Sequence, residues 1–265
     1  MTKPAPGPDQ PPIPVRLLTF NIHHGVGDDG RHDLVRLAQV LAAADPDVIC
    51  LQEVDRHFGD RSENVDQGLL LARGLDMQLA WGPALDEPRP AGRPRGEYGN
   101  ALLSRLPILI SDVHRLPGRG EPRCALRTMV ELDGGALWVT NTHLSRTSAD
   151  RAAQVAAVAE LHTTPMETGI VVGDFNTAPD APELAALRPQ FADAWELANE
   201  RDDRAGWRFW QQEDGNTHPA RSPHRRIDQA WVTEGVAVGR AQVLDGGGAS
   251  DHLPLMVDLE VRSGV

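Results

Sequence analysis

The chain has 265 residues, 40% hydrophobic and 24% charged, which suffices to bury a core and excludes a miniprotein, a collagen-like chain or a disordered tail. Acidic residues number 38 against 26 basic ones, and the formal charge of −12 opposes histone-like binding to polyanions and coating of anionic membranes. Cys50 and Cys124, the two cysteines, sit in apolar segments, so neither a disulfide framework nor a thiolate metal site is expected.

Residues 1–14, MTKPAPGPDQPPIP, hold six prolines and no apolar run, and read as a disordered leader rather than a signal peptide. No stretch approaches the roughly 18 to 20 apolar residues of a membrane span, so no stable membrane insertion and a cytoplasmic location are expected. From residue 15 to 265 no break in composition marks a second domain. Residues 15–21 read as a strand, 33–43 as a helix with Leu34, Leu37 and Leu41 at helical spacing, and 47–52 as a buried strand. A helix over 65–74 precedes strands near 77–81, 98–104, 108–115, 125–132 and 136–143. The alanine-rich stretch 148–162 carries Val155, Val158 and Leu161 on one side and predicts a helix, followed by a buried strand at 169–173. The last third reads as polar, Pro-rich loops around a short helix at 182–187, then strands at 226–233, 236–243 and 255–261. Two sheets packed face to face with helices outside accommodate this order.

Six short segments gather carboxylates, amides and imidazoles at strand ends: Asn21 in TFNIHHG, Glu53 in LQEVD, His143 in NTHLS, Asp174 and Asn176 in GDFNT, Asp228 in RIDQAWV, and Asp251 with His252 in SDH. Each alone has an ordinary structural explanation, such as a cap or a turn residue. Together and in this order they resemble the endonuclease/exonuclease/phosphatase superfamily from about Val15 to Val261, with GDFN and SDH the most specific signals. The resemblance implies a four-layered α/β/β/α sandwich with two mainly antiparallel sheets, and divalent-metal-dependent hydrolysis of phosphoesters, without naming a substrate.

Hydrolysing a phosphoester requires neutralised phosphoryl oxygens, an aligned and deprotonated water and a stabilised leaving oxygen. Glu53 and Asp251 are hard oxygen ligands and Asn21 a neutral one, a set suited to Mg²⁺ or Mn²⁺. By resemblance Glu53 is the principal metal ligand, Asp174 orients or deprotonates the water, and Asn176, two residues on along an extended chain, holds water or phosphate. His252 would donate to a phosphoryl oxygen with Asp228 accepting its other N–H, and His143 would be a second phosphate contact or an acid. His23 shares the face of Asn21 if the strand continues, while His24 would point away. Tyr98 and Asn100 alternate onto one face where relatives contact substrate, and Arg123 resembles an arginine that supports the phosphate or a catalytic carboxylate. Gln229 departs from the aromatic residue many relatives carry after the Asp.

Ten arginines in three stretches, Arg89/93/95, Arg115/119/123/127 and Arg221/225/226, suggest a guanidinium rim that would draw in an anion despite the net charge. Trp207, Phe209 and Trp210 could stack on a base or a lipid moiety or simply pack. The expected partner is therefore a phosphodiester, either nucleic acid or a small or lipid diester. A phosphomonoester substrate and a non-catalytic phosphate-binding module are the alternatives. GASDH lacks the second glycine of a serine-hydrolase elbow, and the sequence leaves the oligomeric state open.

Overall fold

The computed structural model describes residues 11–90, 92–162, 168–205 and 214–262. Most of the predicted leader and the Trp207/Phe209/Trp210 tract lie outside them. One sheet contains β1 (Ile13–Asn21), β2 (Val48–Arg56), β3 (Gln78–Glu87), β4 (Gly96–Ser104), β11 (Val236–Val243) and β12 (Leu255–Val261), in the order β11-β12-β1-β2-β4-β3. The other contains β5 (Ile108–Leu116), β6 (Arg123–Leu132), β7 (Gly135–His143), β8 (Gly169–Asp174), β9 (Ala192–Asp193) and β10 (Asp228–Val232), in the order β5-β6-β7-β8-β10-β9. The helices are α1 (Leu34–Ala44), α2 (Gln67–Gly74), α3 (Ser148–Glu160) and α4 (Ala194–Ala205). Among the described residues no helix is long and apolar enough to cross a membrane.

Each sheet has one parallel pair, β1/β2 and β7/β8, and is otherwise antiparallel. A parallel pair needs a crossover connection, which α1 supplies in the first sheet and α3 in the second. Helix α1 starts where the Asp33 side chain accepts from Arg36 N, and it buries Leu37 and Leu41. Alternation sends Leu17 and Cys50 into the core between the sheets and Leu18 and Ile49 outward beneath α1 and α2. Val155, Val158 and Ala159 of α3 cover the second sheet through Val171, Phe175 and Trp231. Strands apolar on both faces are the expected outcome of this layering, and it yields the predicted α/β/β/α sandwich.

Two expectations shift. Strand β1 begins inside the predicted leader, because Ile13 and Pro14 already pair with Val261 and Glu260. Helix α4 occupies a stretch read as loop; among its described side chains Ala194, Trp195 and Ala198 reach the core with Leu197 packed against it, a short apolar face in a highly charged segment.

A buried polar network ties the sheets together beneath the strand ends. Gln52 Nε2 donates to Asn141 Oδ1 at 2.7 Å and Thr19 Oγ1 at 3.0 Å, while Asn141 Nδ2 donates to Leu51 O and Ala101 O, each at 2.9 Å. Asn141→Leu would strand several buried polar groups, so we expect a loss of stability on the order of 3 kcal/mol. Urea denaturation checks this, and a loss below about 1 kcal/mol would show that the network relaxes.

Candidate active site

The C-terminal ends of β1, β2, β7 and β8 meet the start of β10 and the segment 250–252 around a cleft of about 500 Å³. Glu53 reaches it through a bulge: the β2/β4 register shifts between Leu51 and Val54, and Glu53 has φ 55°. A non-glycine residue in that region costs roughly 1–2 kcal/mol, and bulges of this kind re-aim a side chain. Asn21 is fully buried at the end of β1. Its Nδ2 donates to Glu53 Oε1 and Asp174 Oδ2, both at 3.1 Å, and its Oδ1 accepts from His23 N at 3.0 Å. It braces one carboxylate from each sheet and is not among the cleft-lining residues.

Gly173 has φ 141°, and a Cβ there would lie 1.9 Å from Thr142 O, so glycine permits the β7/β8 approach that places Asp174 beside His143. Asp174 Oδ1 accepts from Asn176 N at 2.8 Å, and Asn176 has φ 53°. The two residues do share the cleft, but through a tight side-chain-capped turn rather than the extended chain expected. Arg123 donates to His143 Nδ1 at 3.0 Å. Because guanidinium can only donate, the His143 proton sits on Nε2, which faces Asp174 Oδ2 at 3.4 Å. Burial first, then Arg123, lowers the His143 pKa to about 3. His143 is thus a neutral N–H donor, suited to the expected phosphate contact and not to service as an imidazolium acid.

Asp228 pairs across the strands with Asp174, and His252 mediates between these two like charges. His252 Nδ1 donates to Asp228 Oδ2 at 2.8 Å, and its Nε2 lies 3.9 Å from Asp174 Oδ2. Burial would lower the His252 pKa, but Asp228, Asp174 and Asp251 outweigh it and push it up to about 10. Burial and the neighbouring Asp228 raise Asp174, against the pull of His252 and the Asn176 N–H. A base with raised proton affinity therefore sits beside a persistent imidazolium. Ser250 holds this segment in place, its hydroxyl donating to Asn21 O at 2.7 Å and accepting from His252 N at 3.2 Å.

Tyr98, Arg123 and His23 line the cleft. Asn100 does not: it shares the inward face of β4 with Tyr98, but its amide donates to Cys124 O at 3.0 Å, deeper between the sheets. Strand β1 stops at Asn21, and His23 and His24 follow at φ 45° and 44°. Alternation therefore ends there, and His24 lines the cleft instead of pointing away.

The arginine rim largely dissolves. Arg95 pairs with Asp86, Arg221 with Asp28 and Arg226 with Asp193; Arg89 donates to His57 O, and Arg127 lies 3.6 Å over the Trp138 ring. Of the ten, only Arg123 and Arg225 line the cleft. Two unforeseen guanidiniums, Arg61 and Arg146, join them. Arg61 is held by buried Asp55 at 2.7 and 2.8 Å and lies over Phe58. Thr217, whose hydroxyl donates to Asp228 Oδ2 at 2.5 Å, and His218, its ring tilted against His252 with centroids 4.6 Å apart, are further site residues that the sequence does not flag. They lie on a loop with no periodic pattern to flag them.

The residues suit a divalent cation. Asn21 occupies Glu53 Oε1, while Oε2 lies 3.9 Å from His24 Nδ1. Burial alone would raise Glu53, but His24, His143 and Asn21 hold it well below the usual carboxylate range, so it stays ionised. Asp251 also lines the cleft, its Oδ1 3.7 Å from His23 Nδ1.

A profile of the Endonuclease/Exonuclease/phosphatase family matches residues 18–252. The chain is 32% identical over 175 residues to the uncharacterized protein YbhP of Escherichia coli K12; the match covers 61% of this chain and spans 66% of that relative's length. Among solved structures, the endonuclease/exonuclease/phosphatase from Beutenbergia cavernae superposes with a TM-score of 0.72 at 27% identity, over 94% of this chain and 72% of that one. TDP2 from C. elegans shares the fold, with a TM-score of 0.68 at 19% identity over 94% and 75% of the two chains.

Proposed function

The chain belongs to the Endonuclease/Exonuclease/phosphatase family, and we propose that it is a divalent-metal-dependent phosphodiesterase in which an activated water attacks phosphorus in line. The observation that carries this reading is the line Asp228–His252–Asp174 beside Glu53: a clamped imidazolium next to a buried carboxylate of raised proton affinity. Asp174 takes the proton of the attacking water, and Asn176 fixes where that water sits. His252, still protonated at neutral pH, and the neutral Nε2–H of His143 donate to phosphoryl oxygens as negative charge develops. Glu53, with Asp251 across the cleft, would hold Mg²⁺ or Mn²⁺, which supplies charge neutralisation on the phosphoryl oxygens when bound.

A compact diester suits the cleft better than a polynucleotide. Arg95, Arg221 and Arg226 are spent on neighbouring acids and the net charge is −12, a balance that disfavours a long polyanion. The test is a metal-supplemented panel of bis-p-nitrophenyl phosphate, p-nitrophenyl phosphate, single-stranded and duplex DNA, RNA and phospholipid. The diester should turn over faster than the monoester, and the nucleic acids should be poor substrates. Preference for p-nitrophenyl phosphate would make the enzyme a monoesterase instead. Glu53→Gln is expected to weaken metal binding and abolish turnover while thermal unfolding stays near wild type, because Glu53 sits at the cleft edge outside the apolar core.

A further inference from the structure

The segment Asn21-Ile22-His23-His24-Gly25 is built at some cost. His23, His24 and Gly25 take φ values of 45°, 44° and 79° in succession, and each non-glycine residue in that region costs roughly 1–2 kcal/mol. Strain of this kind persists only where its surroundings fix it. Here Asn21 Oδ1 accepts from His23 N, Gln67 Nε2 donates to His24 O at 2.7 Å, and a Cβ on Gly25 would meet Gln67 and His32 at 2.9–3.0 Å. The turn puts two consecutive imidazoles on one side, their ring centroids 4.4 Å apart, where an extended chain would send them to opposite faces.

Both Nδ1 atoms are shielded from solvent and have no hydrogen-bond partner. The gaps to Glu53 Oε2 and Asp251 Oδ1, 3.9 and 3.7 Å, are too long for hydrogen bonds. The His24–Glu53 gap matches ligands sharing one ion, since donors about 2.1 Å from a common cation lie roughly 3–4 Å apart. His23, His24 and Glu53 each offer a donor atom within 4.8 Å of the others.

We propose that His23 and His24 are inner-sphere ligands which, with Glu53, make this a mixed nitrogen/oxygen site selective for a transition-metal dication, Mn²⁺ above all, over Mg²⁺. The inference rests on the metal-dependent reading above and goes beyond its oxygen-only ligand set. Imidazole favours first-row transition ions, whereas Mg²⁺ strongly prefers oxygen and retained water. As Nε2–H tautomers, both rings present a lone pair at Nδ1.

The test is electron spin-echo envelope modulation on the full chain loaded with one equivalent of Mn²⁺, paired with calorimetric titration of Mn²⁺ and Mg²⁺. Wild type should show ¹⁴N modulation from directly bound imidazole. The double variant His23→Gln/His24→Gln should lose that modulation and bind Mn²⁺ more weakly by at least the roughly 10- to 100-fold typical of a lost outer-sphere partner, with a much smaller change for Mg²⁺. Stoichiometric Mn²⁺ without ¹⁴N modulation in wild type, or modulation that survives in the double variant, overturns the proposal and leaves the metal-dependent reading standing. Failure to bind either ion, together with turnover undiminished by EDTA, overturns both.

Discussion

Asp174→Asn should lower kcat on a phosphodiester by roughly two to four orders of magnitude, the range for a lost general base, with little change in KM. The amide keeps the shape of the carboxylate and can still accept from Asn176 N, so the fold and the Asx turn should survive. What disappears is the proton acceptor, in a site where burial and Asp228 have already raised its affinity for a proton. The raised value also sets the acid limb of the pH profile. An ordinary carboxyl ionises near pH 4, whereas this one remains protonated to higher pH, so kcat/KM should fall on acidification well above that point. Turnover within about tenfold of wild type at the pH optimum would remove Asp174 from the proton transfer.

His252→Ala should cost a comparable two to four orders of magnitude, since it deletes a charged donor aimed at the developing phosphoryl charge. With its pKa pushed up to about 10, His252 stays protonated across the neutral range, and activity should decline only as the pH rises through that value. Asp228→Asn should be milder in rate and more revealing in pH. Without Asp228 the imidazolium loses its strongest support and burial prevails, so the alkaline limb moves down. Asp174 simultaneously loses its like-charged cross-strand neighbour, so the acid limb moves down too. A variant that merely loosened the site would lower the plateau and leave both limbs in place.

The layers were legible because hydrophobic periodicity reports burial. Residues 15–21, 47–52 and 169–173 are apolar on both faces, and 148–162 carries its valines on one side, so these elements stand out locally. The site was legible for a related reason: carboxylates and imidazoles end those same strands, and GDFN and SDH have fixed spacing. What stayed hidden depends on backbone turns that break alternation. Continuing the strand past Asn21 sends His24 outward, whereas β1 stops at Asn21, and Asn176 reaches the cleft through a left-handed residue, not an extended one. The arginine pattern overstates the rim because Asp28, Asp86 and Asp193, remote in sequence or poorly patterned, neutralise Arg221, Arg95 and Arg226. Arg61, Thr217 and His218 reach the site from loops, where sequence carries no periodic signal and only the assembled fold brings them close.

The central claim, that the cleft around Glu53, Asp174 and His252 hydrolyses phosphoesters with a bound dication, is tested most directly by the turnover of bis-p-nitrophenyl phosphate on metal-stripped protein before and after titration with Mn²⁺. We predict no turnover in EDTA, restoration that saturates at one or two equivalents of metal, and no restoration in Glu53→Gln. Undiminished turnover in EDTA, or full restoration in Glu53→Gln, would contradict it.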